Sequence, residues 1–446
     1  MPNQRSGRHL VLGYRGMLYY GAISGRAAWV SIGMVLAAGA LLGCSGSDAA
    51  SGPSGGAGNA NSAGTGATDA THGGASNAGT AQGGDAPSGG GQSGAGASVG
   101  GTGASTGGTG ASTGGTGAVA AQSKGWLYTT GNQIFRANGD GTGTRWIGRG
   151  VNADDLYFCG YNYMLMTANA EALLNKEMDG LFSAWKPNFV RMSLGMDSYP
   201  VQSSWLTDSN YKTAMTHVIE AIGAHPNTYV LVTLRSDASM VGQDPGDKEP
   251  TGMPSDATNT PDKTKFPTGT DAVYIALVDS FAHDNFVLFG LTNEPGGNVA
   301  TASTIRGAMD HAVSTIRAEE DRLGVPHHLV SVQGKGYSGD IGFYSQNPLS
   351  QDNVVYEVHG YPPATAAFTY DNIPVVIGEY GSLDSGAEDA FFQQLESKQI
   401  SSLAWDFDPY SNCSPDLLEI TRDANTLTPS DWGKVVQRYL VAHAAP

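Results

Sequence analysis

Short apolar or β-branched runs alternate with amphipathic segments along residues 121–446. The runs predict strands, and the amphipathic segments, in which apolar residues recur every three or four positions, predict helices. The predicted strands are 145–152, 188–194, 228–234, 285–291, 328–333, 353–359, 373–379 and 401–407. Strands that alternate with helices in this way indicate repeated βα units around a parallel sheet.

Eight such strands predict a (β/α)8 barrel, or TIM barrel, with an N-terminal β-hairpin at residues 126–139. A doubly wound open sheet is the alternative fold, but no GxGxxG pattern follows the first strand. The stretch "NGDGTG" at 138–143 mimics part of a calcium loop. Position twelve of that loop would be Arg149, so the stretch indicates a hairpin turn.

The first 43 residues read as an export signal, because basic residues precede an apolar run that ends at Gly43. The run is short for a membrane span, although a plain transmembrane anchor is the alternative. It closes with "LLGC", which resembles the lipobox of bacterial lipoproteins and implies lipidation of Cys44. We therefore expect a signal peptide at 1–43 and a protein that is lipid-anchored in the cell envelope or at the cell surface, or released outside the cell.

Residues 44–120 consist mostly of Gly, Ser, Ala and Thr, which cannot bury a core and predict a disordered tether. The catalytic domain is then 121–446.

The net charge of -17 disfavours nucleic acid and anionic lipid as partners, so a neutral substrate is expected. The remaining cysteines, Cys159 and Cys413, show no CxxC spacing, which argues against a structural zinc site. We expect a monomer without metal or cofactor.

Polar residues at the ends of the predicted strands are the candidates for chemistry, because TIM-barrel active sites lie where strands end. Each alone has a structural explanation, such as a helix-capping Glu or a core Trp. Together they include two carboxylates and an arginine. Paired carboxylates can break a glycosidic bond if one is protonated and the other ionised, and a nearby arginine lowers the pKa of its carboxylate partner. The candidates are Arg191, Asn293, Glu294, His359, Tyr361, Glu379 and Trp405.

The motifs "FVLFGLTNEP", "PVVIGEYG", "NFVRMSL", "VHGY" and "LAWDFDP" resemble those of glycoside hydrolase family 5, the cellulase-like retaining enzymes. The resemblance implies that Glu294 is the acid/base and Glu379 the nucleophile. It also implies that Asn293 contacts the sugar 2-hydroxyl, that Arg191 supports the nucleophile, that His359 and Tyr361 form a pair, and that Trp405 is a sugar platform. Many relatives have a histidine at the end of the third strand, where this chain has Arg235 or Ser236.

Two further acids, Glu357 and Asp237, lie near these positions in sequence. Glu357 shares the period-2 face of His359 at a deeper position, which predicts a structural network role. Asp237 follows the third strand and is expected near substrate without a catalytic role. The aromatic first βα loop either stacks on sugar rings or packs on itself, and the long loop 236–269 predicts one wall of a cleft.

The predicted function is endo-type hydrolysis of a β-linked polysaccharide, of the β-1,4-glucan or β-mannan class, with retention through a glycosyl-enzyme. A non-catalytic carbohydrate-binding lipoprotein and a transglycosylase are the alternatives. We also expect a disulfide between Cys159 and Cys413, since barrel closure brings the loops after the first and last strands together, with unpaired cysteines as the alternative.

Overall fold

The fold is described from a computed structural model of the chain. The described residues are 124–153, 170–195, 204–242, 252–361, 365–381, 387–408, 417–419 and 427–444. Cys44, Cys159 and Cys413 lie outside them, as do the predicted signal peptide and the whole of the predicted tether. The lipidation, tether and disulfide predictions therefore stay predictions.

Eight parallel strands close into a barrel, which confirms the predicted fold class. The last strand pairs with the first, with Ser402 opposite Arg149. Each strand overlaps its predicted run, because runs of buried apolar residues mark strands that are covered on both faces. The barrel strands are β4 (Arg149–Ala153), β5 (Phe189–Leu194), β6 (Tyr229–Leu234), β7 (Val287–Gly290), β8 (Val330–Gln333), β9 (Val354–Gly360), β10 (Val375–Tyr380) and β11 (Ser401–Ala404).

Helices connect these strands and cover the barrel. The longest is capped by Thr301, whose hydroxyl accepts from the Thr304 N–H at 3.2 Å, and ends at Gly324 in a left-handed conformation. Its buried face includes Ile305, Met309 and Val313, which have the spacing of a helix packed on a sheet. The helices are α1 (Ala170–Ala184), α2 (Ser204–Thr207), α3 (Ser209–Ala224), α4 (Asp271–Phe281), α5 (Ala302–Leu323), α6 (Gly342–Gln346), α7 (Glu388–Lys398) and α8 (Asp431–Ala442), with a 3₁₀ helix at Thr365–Thr369.

The predicted N-terminal hairpin is part of a three-stranded antiparallel sheet, formed by β1 (Leu127–Thr130), β2 (Gln133–Ala137) and β3 (Gly143–Arg145). β3 was not predicted, because its three residues are exposed or half-buried and show no apolar alternation. The predicted turn at 138–143 does join β2 to β3. Asp140 accepts a hydrogen bond from the Thr142 N–H at 2.8 Å within this turn.

Apolar side chains close the amino-terminal end of the barrel. Trp146 lies 5.2 Å, between ring centroids, from both Phe189 and Tyr229, and Phe189 and Tyr229 are the first residues of β5 and β6. Leu127 and Ile134 of the N-terminal sheet belong to the same buried cluster. Full burial of each large apolar side chain stabilises the fold by about 1.5–3 kcal/mol. This end is therefore a packed core.

Among the described residues, every helix is too short or too polar to cross a membrane.

Candidate active site

Arg191 lies at the centre of a buried polar network inside the barrel. It is on β5 and is fully buried, and its Nη1 donates to Glu379 Oε1 at 2.8 Å and to Asn152 Oδ1 at 2.9 Å. Its Nη2 donates to Asn293 Oδ1 at 2.8 Å, and its Nε lies 3.1 Å from Glu357 Oε1. One guanidinium thus fixes groups from four other strands or strand ends, as its planar set of donors allows.

Glu379 lies on β10, where a bulge at Gly378 shifts the register and places Glu379 opposite His359. Bulges of this kind re-aim a side chain next to a site. Gly378 also makes room for a neighbour, since an added Cβ there would lie 2.1 Å from Glu357 Oε1. The second carboxylate oxygen of Glu379 accepts from the Tyr361 hydroxyl at 2.9 Å.

The charges around Glu379 keep it ionised. Burial by itself raises the pKa of this carboxyl, but the positive charges of His359, Arg191 and Arg235, in that order, together with the Tyr361 hydrogen bond, lower it below its ordinary value. A low pKa in a buried carboxylate is what a nucleophile needs near neutral pH.

Glu294 follows β7 and has the opposite tendency. Burial raises the pKa of its carboxyl, and the negative charge of Glu379 raises it further, against a lowering by His359. Its Oε1 lies 2.9 Å from His359 Nδ1. The backbone of Glu294 is in the left-handed region, with φ of 48°, which is uncommon for a residue other than glycine.

His359 is held between two carboxylates. Its Nε2 lies 2.9 Å from Glu357 Oε1, on the opposite side of the ring from Glu294. Burial alone lowers the pKa of the imidazole, but the charges of Glu379, Glu294 and Glu357 raise it to about 9. His359 is therefore an imidazolium at neutral pH and donates from both nitrogens.

Glu357 joins this network from below, as predicted. It is fully buried, and its Oε2 accepts from the Ser331 hydroxyl at 2.5 Å. Burial raises the pKa of this carboxyl, but Arg191, then His359 and Ser331, lower it to about 2. It is an ionised carboxylate whose oxygens are occupied by protein donors.

Glu294 and Glu379 present their carboxylates to one another. One carboxylate oxygen from each glutamate and one ring nitrogen of His359 all lie within 4.8 Å of one another. Such a set has the size of a metal site, but both ring nitrogens of His359 are already paired with carboxylates, Nδ1 with Glu294 and Nε2 with Glu357. The geometry instead matches a pair of glutamates flanking one reacting atom.

These glutamates line an open cleft of about 540 Å³ that also contains His359, Tyr361 and Trp405. Trp405 is half-buried and follows β11. Arg235 directly follows the third barrel strand, β6, and its guanidinium carbon is 4.8 Å from the centroid of the Trp405 ring. Arg235 therefore makes a cation–π contact with the predicted sugar platform.

A family model for the cellulases, glycosyl hydrolase family 5, matches residues 157–411, which is more than half of the chain. The chain belongs to glycosyl hydrolase family 5. It is therefore a glycosidase, and the cleft at the carboxyl ends of its strands is the candidate active site of a family 5 enzyme.

Solved structures support the same fold at low identity. The chain is 17% identical to the β-glucanase SdGluc5_26A of Saccharophagus degradans, with a TM-score of 0.55 over 73% of this chain and 95% of that one. The catalytic domain of Thermobifida fusca endoglucanase Cel5A is also 17% identical, with a TM-score of 0.52 over 71% and 97%. An endoglucanase of Clostridium saccharobutylicum is 21% identical over 136 residues, and the match spans only 29% of each chain.

The structure brings all seven residues predicted from the sequence to this one family 5 cleft or its floor. It adds Asn152 and Gln333, which end the first and fifth predicted strands. Asn152 donates to the Gly378 carbonyl at 3.0 Å besides accepting from Arg191. The rule used for the other candidates, a polar residue that ends an apolar run, would have found both.

Two predictions about the loops, for Asp237 and for loop 236–269, find less direct support in the structure. Asp237 is buried and accepts hydrogen bonds from the Ser239 N–H, at 3.3 Å, and from the Ser239 hydroxyl, within its own loop. The described part of loop 236–269 packs against the end of β7, where the Thr292 hydroxyl donates to the Gly252 carbonyl at 2.9 Å. Among the described residues of this loop, none lines the cleft.

Proposed function

We propose that this family 5 glycosidase cleaves a β-linked polysaccharide internally and with retention of anomeric configuration. The observation that carries the proposal is that one carboxylate oxygen of Glu294 lies within 4.8 Å of one carboxylate oxygen of Glu379. Retaining glycosidases hold their carboxyl groups roughly 5–5.5 Å apart, whereas inverting enzymes leave about 6.5–9.5 Å for a water molecule. The short separation supports direct attack by one carboxylate.

In the first step, Glu379 attacks the anomeric carbon and Glu294 donates its proton to the glycosidic oxygen. The carbon–oxygen bond to the leaving sugar breaks, and an ester bond forms between Glu379 and the remaining glycosyl unit. In the second step, the ionised Glu294 takes a proton from water. The water oxygen then attacks the anomeric carbon, the ester bond breaks, and Glu379 leaves as a carboxylate.

The opposite pKa shifts support these roles. A raised pKa favours the protonated form that Glu294 needs as an acid, and a lowered pKa favours the ionised form that Glu379 needs as a nucleophile. Arg191 and Tyr361 both donate to Glu379, which orients its oxygens. Arg191 also fixes the amide of Asn293, so that its nitrogen end is directed away from the guanidinium and toward a substrate hydroxyl.

A β-1,4-glucan or a β-mannan is the proposed substrate class. Several similar proteins are described as endoglucanases or β-glucanases. The open form of the cleft supports binding along a polymer, and Trp405 offers an aromatic surface for the apolar face of a sugar ring. The acidic chain also favours a neutral polysaccharide.

The test is release of reducing sugar from glucans, mannans and xylans by the full chain, with Glu379→Gln as the inactive control. We expect release from a glucan or a mannan, with a rapid fall in polymer viscosity that indicates internal cleavage. Proton NMR of the first product should show the β-anomer. Binding without release would favour a non-catalytic carbohydrate-binding protein, and new, longer oligosaccharides would favour a transglycosylase.

We further propose that the enzyme is a monomer anchored to the cell envelope by lipid on Cys44. The "LLGC" motif and the Gly-, Ser- and Thr-rich stretch after it support this placement. Metabolic labelling with a fatty-acid analogue should mark the wild-type chain and leave Cys44→Ala unlabelled. Labelling of both would contradict the proposal.

A further inference from the structure

Gln333, the last residue of β8, bridges the candidate acid and the buried carboxylate below it. Its Oε1 accepts from the backbone N–H of Glu294 at 2.6 Å, and its Nε2 donates to Glu357 Oε1 at 3.0 Å. The side chain is almost fully buried, with a relative exposure of 1%. It is absent from the cleft lining and so acts only through its neighbours.

The two neighbours allow one orientation of the Gln333 amide. The Glu294 N–H requires an acceptor, whereas the ionised Glu357 carboxylate requires a donor. The amide oxygen must therefore face Glu294, and the amide nitrogen must face Glu357. Since Glu357 is itself held by Arg191 and Ser331, the position of the amide is fixed by the barrel interior.

The bond to the Glu294 N–H stabilises a strained backbone. A non-glycine residue in the left-handed region is strained and persists only when its surroundings determine it. With φ of 48°, Glu294 is such a residue, and its carboxyl meets His359 at 2.9 Å in this conformation. Loss of the acceptor would leave a backbone N–H unsatisfied and allow the peptide to rotate, moving the carboxyl.

We propose that Gln333 is a positioning residue that holds the backbone of Glu294 so that its carboxyl faces the glycosidic oxygen. This inference rests on the proposed function, because it assigns Glu294 the role of the acid. Gln333 touches no reacting atom, and Glu357 orients it. The network below the cleft thus fixes the position of the acid as well as the charge of the nucleophile.

The first test is Gln333→Met, which keeps approximate length and removes both hydrogen bonds. We expect kcat/KM on the polymer to fall by about 10²-fold, the effect of displacing a catalytic group by about 1 Å. With 2,4-dinitrophenyl β-cellobioside, whose leaving group needs no protonation, kcat/KM should change by about threefold or less. A merely structural defect would lower both values by the same factor.

Tyr344→Phe is the matched control. The Tyr344 hydroxyl donates to the backbone carbonyl of Gln333 at 3.0 Å, so the variant perturbs the same strand end and leaves the amide bridge intact. It should lower the polymer and aryl-glycoside rates by equal factors, if at all. A leaving-group dependence in Tyr344→Phe as large as that of Gln333→Met would overturn the proposal.

Gln333→Glu gives a second test, which also serves if Gln333→Met does not fold. At acid pH the new carboxyl is protonated and reproduces the amide, because its carbonyl accepts from Glu294 and its hydroxyl donates to Glu357. As pH rises and this group ionises, repulsion from Glu357 breaks the bridge. Polymer activity should then fall at a lower pH than in the wild type. An unchanged alkaline limb would overturn the proposal, whereas inactivity of the wild type on every polymer would instead overturn the proposed function.

Discussion

The two ends of the barrel are built from the same parallel strands, but the interior of one end is apolar and the interior of the other is charged. The amino-terminal end is filled by Trp146, Phe189 and Tyr229 with other apolar side chains from the strand starts and the N-terminal sheet. The carboxyl-terminal end holds Arg191 and Glu357 fully buried, beneath the cleft. Burying such charges costs free energy that pairing only partly recovers. The comparison indicates that the apolar end supplies stability and the charged end supplies chemistry.

The sharpest test of this division is Glu379→Gln. The change is nearly isosteric but removes the nucleophilic charge, so kcat on polymer should fall by about 10⁴-fold or more. The midpoint of thermal unfolding should change little, because Arg191 keeps Glu357 as a partner. Activity near the wild-type level would remove Glu379 as the nucleophile. A large drop in melting temperature would show that the charged end also carries much of the stability.

Glu294→Gln should have the next largest effect, and one that depends on the leaving group. Polymer hydrolysis should fall by about 10²–10⁴-fold, the contribution of general acid catalysis. The kcat/KM for an activated aryl glycoside should fall far less, while its kcat should drop because the second step lacks a general base. Equal losses of kcat/KM on both substrates would contradict the assignment of Glu294 as the acid.

Trp146→Ala tests the other end of the barrel. The indole is buried against Phe189 and Tyr229, so its truncation should lower the free energy of unfolding by about 3–5 kcal/mol. The kcat of the folded fraction should stay close to the wild-type value. Trp146→Phe is the matched control and should cost much less, since it keeps an aromatic ring. A selective loss of kcat in Trp146→Ala would show that the two ends are coupled.

Arg235→Gln should have the smallest effect, and it separates charge from stacking. The charge of Arg235 lowers the pKa of both Glu379 and Glu294, so its removal should raise both values. Activity needs Glu379 ionised and Glu294 protonated. The acid and alkaline limbs of the pH profile should therefore both move to higher pH. Loss of the contact with Trp405 should also raise KM for the polymer by a few fold, on the order of 1 kcal/mol.

Arg322→Gln is the control for this prediction, because its side chain is 60% exposed on α5 and pairs with Glu319 at the surface. It should leave both limbs in place, as expected for a screened charge. A similar shift in the two variants would mean that net charge, and not the position of Arg235, sets the profile.

The sequence by itself determined the barrel and most of the site. Buried parallel strands are mostly apolar, so their runs and the polar residues at or just after their ends, such as Glu379 and Glu294, were visible as a pattern. The exposed strand β3 was not, because three residues without alternation give no periodic signal. Nor did the pattern rank the strand ends, so Gln333 was passed over although it also ends an apolar run.

Only the tertiary structure decided what each polar residue contacts. The bulge at Gly378 turns Glu379 toward His359, and the left-handed backbone of Glu294 brings its carboxyl to the same imidazole. The opposite pKa shifts of the two glutamates follow from burial and from charges that belong to other strands. Hydrophobic periodicity is a local property of the chain, whereas electrostatic interactions depend on distances through space that the closure of the barrel sets.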